Sequence, residues 1–156
     1  MNEELEAAIL YAKKYLEDLL SFFGLNTDVH ATSEDEEVIE LDIPSTHLNG
    51  FLIGNRGETV RALQFIIGTA LKSQGHKYTR VNVDVADYKK HKAERLLAQY
   101  ESTFKQVKES GEIKHLDPMN PAERRVIHQA AVDYGLSSES EGEGRDRHIV
   151  LKPITD

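Results

Sequence analysis

The sequence contains no cysteine and no long apolar run. Without thiols, disulfide bonds and thiolate-coordinated metal sites are excluded. No apolar stretch approaches the roughly 20 residues that a membrane-spanning helix needs. The first residues, Met1-Asn2-Glu3-Glu4, are acidic where a secretory signal peptide is basic. We therefore expect a cytoplasmic protein without stable membrane insertion.

Sequence signatures of catalysis and of metal binding are also lacking. The 7 histidines form neither an H-x-x-x-H nor an H-E-x-x-H pair, so no metal-ligand spacing is present. No G-x-S-x-G motif marks a nucleophile. The P-loop motif G-x-x-x-x-G-K-S/T and the dinucleotide motif G-x-G-x-x-G are absent too. We expect no catalytic residue, no metal site and no cofactor, and hence a protein that is not an enzyme.

The net charge of −8 argues at first against a nucleic-acid partner, but the charge is unevenly distributed. Residues 1–50 hold 2 basic and 12 acidic side chains, and residues 111–156 hold 6 basic and 9 acidic ones. Residues 51–110 hold 11 basic and 6 acidic side chains, a net charge of +5. Because salt screens charges farther away than about 10 Å, a local basic patch can bind phosphates on an acidic chain.

The spacing of apolar residues predicts an α+β protein with two small domains. Residues 3–23, 45–53 and 58–72 have helical periodicity, and residues 26–32, 37–43 and 79–85 have the pattern of strands. This gives the order α-β-β-α-α-β. In the short helix 45–53, we expect Leu48, Phe51 and Leu52 to face inward.

The second half of the chain has a similar mixture. A long helix over 87–109, capped by Asp87, is expected to join the two domains. A short strand over 113–116 and a helix from Asn120 to about Tyr134 follow, and Pro121 and Glu123 favour that helix start. Two further strands are predicted over 136–141 and 147–152.

The stretch Gly54-Asn55-Arg56-Gly57 lies between the two central helices of the first half. Glycines allow the backbone to approach a ligand closely, and the N-terminus of the next helix, at about Glu58, attracts phosphate. Arg56 adds a positive charge. For a G-x-x-G pattern by itself, a plain turn between two helices is the more frequent explanation.

The stretch Asn120 to His128 contains a second candidate site. Arg124 and His128 are four residues apart, so they are neighbours on one helix face, away from the centre of its apolar stripe. An arginine can pair bidentately with phosphate, and a histidine can hydrogen-bond to a base or stack on it. For Arg-x-x-x-His alone, an ordinary polar face with a salt bridge to Glu123 is again the more frequent explanation.

The order α-β-β-α-α-β, with Ile53-Gly54-Asn55-Arg56-Gly57 between its central helices, resembles a KH domain of type II. The resemblance implies a three-stranded sheet packed by helices, and a loop that clamps the backbone of about four single-stranded nucleotides. It also implies a groove beside the loop whose walls are Ile53, Val60 and the second strand, and it places Asn55 and Arg56 towards phosphates.

The Arg-x-x-x-His helix, with Asp117-Pro118-Met119 before it and residues 140–150 after it, resembles an R-3-H domain. That family is named for an arginine and a histidine separated by three residues, and it binds single-stranded nucleic acid. The resemblance implies a binding set made of Arg124, Arg125, His128, Arg145 and Arg147.

A KH domain followed by an R-3-H domain is similar to the Jag (KhpB) family of bacterial RNA-binding proteins. The resemblance implies a KH module over 1–86 and an R-3-H module over 87–156. It also implies binding of single-stranded RNA, possible binding of single-stranded DNA, and a role in post-transcriptional regulation or as an RNA chaperone. The alternative is an adaptor that pairs with a small KH protein and binds nucleic acid weakly. Many members have a further N-terminal domain, whose roles we do not expect from these residues.

Overall fold

A computed structural model describes residues 2–155 and shows a mixed α+β chain with two compact units, which divide between Lys89 and Lys90. The first unit contains helix α1 (Glu3–Ser21), strands β1 (His30–Thr32) and β2 (Val38–Ile43), helices α2 (Asn49–Ile53) and α3 (Glu58–Ser73), and strand β3 (Arg80–Val85). The second contains most of helix α4 (Tyr88–Ser110), then β4 (Lys114–His115), α5 (Pro121–Asp133), β5 (Leu136–Glu141) and β6 (His148–Pro153). No helix among residues 2–155 has the length and apolarity to span a bilayer.

The sheet of the first unit has the order β1-β2-β3. Strand β2 pairs antiparallel with β1 and parallel with β3. Alternate residues of each strand face opposite sides, so Ile39, Leu41 and Ile43 enter the core while Glu40 and Asp42 lie on the other side. The sheet therefore has one apolar and one acidic side.

Helices α1 and α3 cover the apolar side of this sheet. The buried side chains recur at three- and four-residue steps, which places them on one face of each helix. They are Leu5, Ala8, Ile9, Ala12, Leu16 and Leu20 from α1, and Val60, Leu63, Ile67 and Leu71 from α3. Full burial of one such leucine or isoleucine contributes roughly 1.5–3 kcal/mol, so this layer holds the unit together.

The sheet of the second unit has the order β4-β6-β5, and both pairings are antiparallel. Its core includes Phe104 and Val107 of α4, Ile127 of α5, and Ile149 and Leu151 of β6. The Phe104 ring stacks on Tyr134, with ring centroids 4.9 Å apart. The predicted start of α5 is confirmed, since Asn120 and Glu123 form a capping box and Pro121 is the first residue.

Two local expectations were wrong. The Phe51 side chain is 53% exposed and contacts the Phe23 ring edge-on, because α2 is a single short turn that begins only at Asn49 and buries Leu52. Asp87 does not have the extended backbone of an N-cap residue, because its φ is 56°. The carboxylate of Asp84 accepts the Lys89 N–H at the start of α4 instead.

Candidate nucleic-acid interface

The glycine loop of the first unit is a sharp backbone turn between α2 and α3. Gly54 has φ 72° and ψ −173°, a region that is essentially restricted to glycine. A Cβ built on Gly54 would lie 2.9 Å from the Thr59 backbone N and closer still to its Oγ1. Arg56 and Gly57 also have left-handed backbones, with φ of 54° and 76°. The loop thus lies tightly against the first turn of α3.

The tip of this loop is accessible. Asn55 and Arg56 are exposed, Ile53 and Gly54 are half-buried, and Gly57 is buried. A Cβ on Gly57 would lie 3.5 Å from Cε1 of Tyr88, so Gly57 faces that ring. The two side chains at the variable positions are therefore available to a ligand.

The start of α3 has no side-chain cap among the described residues, in contrast to α1 and α5. The Glu58 N–H bonds to the Asn55 carbonyl, and the positive end of the helix dipole points at the loop. Arg61 Nη1 donates a 2.7 Å hydrogen bond to the Arg56 carbonyl oxygen. The sequence reasoning missed Arg61, although its position one turn after Gly57 places it beside the loop.

The side chains that the resemblance implies as walls of a groove beside the loop differ in exposure. Val60 is only 3% exposed and belongs to the core, whereas Ile53 is half-buried at its edge. Of these two side chains, Ile53 is the one with surface that a base could contact.

The Arg-x-x-x-His pair of the second unit lies on α5, and both side chains are half-buried rather than fully accessible. Arg124 Nη1 donates to the Met119 carbonyl at 2.7 Å. The segment before the helix is tied down by the Tyr100 hydroxyl, which donates to Asp117 at 3.1 Å. Burial, together with that carboxylate, raises the pKa of Tyr100, so the hydroxyl keeps its proton. Arg124 is thus bound to an anchored segment.

His128 and Arg147 meet the same face of strand β5. His128 Nδ1 lies 2.7 Å from Ser138 Oγ, and Arg147 Nε donates to Ser140 Oγ at 3.0 Å. Ser138 and Ser140 are two apart on the strand, so both project to one side. The sequence reasoning missed both serines, although the strand alternation over 136–141 places them together.

Backbone contacts join Arg124 to this group. The Met119 N–H donates to the Arg147 carbonyl at 3.2 Å, and Met119 in turn accepts from Arg124. Arg147 Nη1 also donates to the Gly142 carbonyl at 3.1 Å, which fixes the guanidinium at the end of the hairpin. Arg124 and Arg147 are thus linked through Met119, and His128 contacts the same side of β5 as Arg147; we call these three residues the Arg–His–Arg cluster.

The remaining two predicted residues lie outside that set of contacts. Arg125 is exposed on α5, and Arg145 is exposed in the short 3-10 turn Gly144–Asp146. Neither guanidinium has a hydrogen bond within residues 2–155. Both are free to move towards a ligand.

The expectation of no metal site rested on spacing along the chain. The fold places His115, Glu141 and His148 together, with one potential ligand atom from each within 4.8 Å of the others. They come from three strands, which no short-range motif could indicate.

The chain is similar to known proteins over nearly its whole length. Residues 94–153 match the family model of the R-3-H domain, a range that includes the whole Arg–His–Arg cluster. The protein named "RNA-binding protein KhpB" of Bacillus subtilis (strain 168) is 30% identical over 146 residues, 92% of this chain and 69% of the relative. Proteins of the same name from Clostridium symbiosum and Streptococcus pneumoniae serotype 2 (strain D39) are each 29% identical, over 90% and 96% of this chain.

The chain spans 64% of the Clostridium relative, 69% of the Bacillus relative and 45% of the Streptococcus relative. The family that the sequence resembles is thereby confirmed, and this chain belongs to the Jag (KhpB) family.

Proposed function

We propose that this chain binds single-stranded RNA at two sites, one in each unit, and catalyses no reaction. The observation that carries the proposal is the cluster of Arg124, His128 and Arg147, which is held in place by hydrogen bonds to the chain's own backbone and serines. The names of the relatives, which describe RNA-binding proteins, support the same conclusion. A role in post-transcriptional regulation or as an RNA chaperone, in the cytoplasm, fits this activity.

The second unit would act as an R-3-H module over residues 87–156. A guanidinium has five N–H donors, and Arg124 uses one donor group on the Met119 carbonyl, so the others can bind a phosphate. Because the side chain is already positioned, little rotamer freedom is lost on binding. His128 would contact a base or sugar, while Arg125 and Arg145 would add phosphate contacts from the rim.

The first unit would act as a type II KH module over residues 1–86. Its observed order α1-β1-β2-α2-α3-β3 and the loop between α2 and α3 support that assignment. The loop would clamp the RNA backbone through its N–H groups, with Asn55, Arg56 and Arg61 at the phosphates and Ile53 against a base. Gly54 and Gly57 would allow the backbone to come close.

Arg124→Ala tests the central claim. It should weaken binding of single-stranded RNA about tenfold and reduce the slope of log affinity against log salt by roughly one unit, because one phosphate contact is lost. Lys105→Ala is the matched control, since it removes one positive charge from the same unit on the exposed side of α4. Fluorescence anisotropy across a salt series measures both quantities, with single-stranded DNA of the same sequence as a parallel ligand. Equal effects of the two variants would contradict a local site.

The adaptor function remains a second candidate because the first unit exposes large apolar side chains. They are Leu10, Phe22, Phe23, Phe51, Phe65 and Ile66, with exposures between 42% and 84%. Exposed aromatics are enriched at protein interfaces. A chain whose RNA affinity is unchanged by Arg124→Ala, but which forms a stable complex with a purified small KH protein, would favour this function over the first.

A further inference from the structure

His115, Glu141 and His148 lie on one face of the sheet in the second unit. His148 and Glu141 are directly paired between β6 and β5, and His115 on β4 is paired with Val150, two residues along β6 from His148. Residues directly opposite, or two apart, project to the same side of a sheet. This side is opposite to the one that carries Ser138 and Ser140, so the trio is separate from the Arg–His–Arg cluster.

The two imidazole rings are spaced like ligands of one ion. His115 Nδ1 lies 3.1 Å from His148 Nε2. Two nitrogens bound at 2.0–2.1 Å to a tetrahedral zinc ion are roughly 3.3 Å apart. A carboxylate oxygen of Glu141 lies within 4.8 Å of a ring nitrogen of each histidine. Glu141 is exposed, so a rotation of its side chain is free to shorten that distance.

The ring of His148 is held as a metal ligand usually is. Its Nδ1 lies 2.9 Å from the Asp146 carbonyl oxygen, which can only accept, so Nδ1 carries the proton and Nε2 has the lone pair. A hydrogen bond from the second ring nitrogen to a backbone carbonyl is the common arrangement that orients histidine ligands. Nε2 of His148 therefore points its lone pair at His115.

A hydrogen bond from His115 Nδ1–H to that lone pair accounts for the 3.1 Å distance without a metal. A metal ion can take the place of this hydrogen if the His115 ring carries it on Nε2 instead of Nδ1. No proton is released, because the two tautomers contain the same number of hydrogens. Both facing nitrogens then offer lone pairs, while His148 keeps its bond to Asp146. A change of tautomer at His115, with a small tilt of the two rings and the rotation of Glu141, thus converts the resting geometry into a binding geometry.

We propose that His115, Glu141 and His148 form a binding site for a divalent transition metal of the zinc class. Two imidazoles and one carboxylate are ligands that zinc prefers, and nickel or copper could compete for them. Magnesium should not bind, because it prefers oxygen ligands. Water completes the coordination, because the site lies at the surface. The ion would join β4 to both strands of the β5–β6 hairpin, whose turn carries Arg145 and Arg147.

Calorimetric titration of the chelator-treated full chain with zinc chloride tests the site. We expect one equivalent to bind, with His115→Gln and Glu141→Gln each weakening affinity at least tenfold. His91→Gln and Glu139→Gln are matched controls, since His91 is an exposed histidine on α4 and Glu139 lies two residues before Glu141 on the same face. Both controls should bind zinc as the unaltered chain does, and excess magnesium should not compete.

A nitrogen-15 NMR experiment on the histidine rings gives a second readout that does not depend on mutation. Zinc should convert His115 from the Nδ1–H to the Nε2–H tautomer and shift His148 Nε2, while His148 Nδ1 keeps its proton. Failure to bind zinc, or binding that His115→Gln leaves unchanged while another histidine shifts, would overturn the proposal.

Discussion

At the scale of single residues, two separate constraints require glycine at position 54, and the sequence motif does not distinguish them. Its backbone angles suit only glycine, and a Cβ would collide with Thr59 of α3. We expect Gly54→Ala to reduce the free energy of unfolding by about 2–4 kcal/mol, from backbone strain and overpacking together. Urea unfolding followed by circular dichroism measures the loss.

Gly24→Ala is the matched control for this prediction. Gly24 has a similar φ of 78°, but a Cβ there meets no atom within 4 Å. Its loss should be about 1 kcal/mol, from the left-handed backbone alone. Losses of the same size at both positions would show that the Thr59 contact is not a constraint.

The close packing at Gly54 also decides which substitutions can test RNA binding. A change at Gly54 would disturb the fold and the loop together, so a loss of affinity would be ambiguous. Arg56 is exposed and contributes only its carbonyl to the loop's internal bonding. Arg56→Glu therefore tests RNA binding by the loop without disturbing its fold.

At the scale of helices and strands, the sequence predicted most elements because their signals are local. The alternation over residues 79–85 and the capping box at Asn120 depend only on neighbouring residues, and both are confirmed by β3 and α5. The expectations for Phe51 and Asp87 were wrong because their orientation depends on how short segments join larger elements. The His115–Glu141–His148 trio was missed since its members come from three strands whose register no periodicity gives.

We predict that a substitution on the acidic side of the first sheet stabilises the protein. Asp42 on β2 is paired with His30 on one side and Asp84 on the other. Burial raises the pKa of Asp42, and the carboxylates of Asp84 and Glu40 raise it further, with His30 opposing them. The Asp42 carboxyl therefore ionises less readily in the folded state than in the unfolded state. As a result, the free energy of unfolding falls as pH rises from the ordinary Asp pKa to the raised one.

Asp42→Asn should consequently increase the free energy of unfolding at pH 7. The gain should stay below about 1 kcal/mol, because the carboxylate is partly solvated and is attracted by Lys89. It should disappear below about pH 3, where aspartates are protonated in both states. Thermal unfolding across pH measures the difference.

Asp28→Asn is the control with the opposite sign. The Asp28 pKa is lowered by its hydrogen bond and ion pair with Lys13. Its stabilising effect is present above the ordinary Asp pKa and is lost as pH falls through the lowered value. A gain at neutral pH for both variants would indicate a general relief of negative charge rather than an effect of burial at Asp42.

At the scale of the whole molecule, net charge does not point to the RNA partner that we propose. The acidic total is dominated by residues 1–50, whereas the candidate loop begins the basic segment. The sequence could predict the family because two short motifs occur in a fixed order along the chain. It could not predict the depth of Arg124 and His128, which follows from the packing of α5 on its sheet.

The proposal of two linked RNA sites predicts that affinity depends on RNA length. An oligomer of roughly 6 nucleotides can fill one site, since a KH loop holds about four, whereas one of roughly 30 nucleotides can engage both. We expect the longer RNA to bind on the order of 10–100-fold more tightly, because the second contact becomes intramolecular. Arg56→Glu and Arg124→Ala should each remove most of this gain while affecting the short oligomer less.

The matched controls Lys14→Glu and Lys105→Ala should retain it, since both residues are exposed cations paired on helix surfaces. Anisotropy titrations at one salt concentration measure the ratio. The same ratio in the unaltered chain and all four variants would mean that longer RNA only offers more positions to a single site, and the two-site proposal would then be wrong.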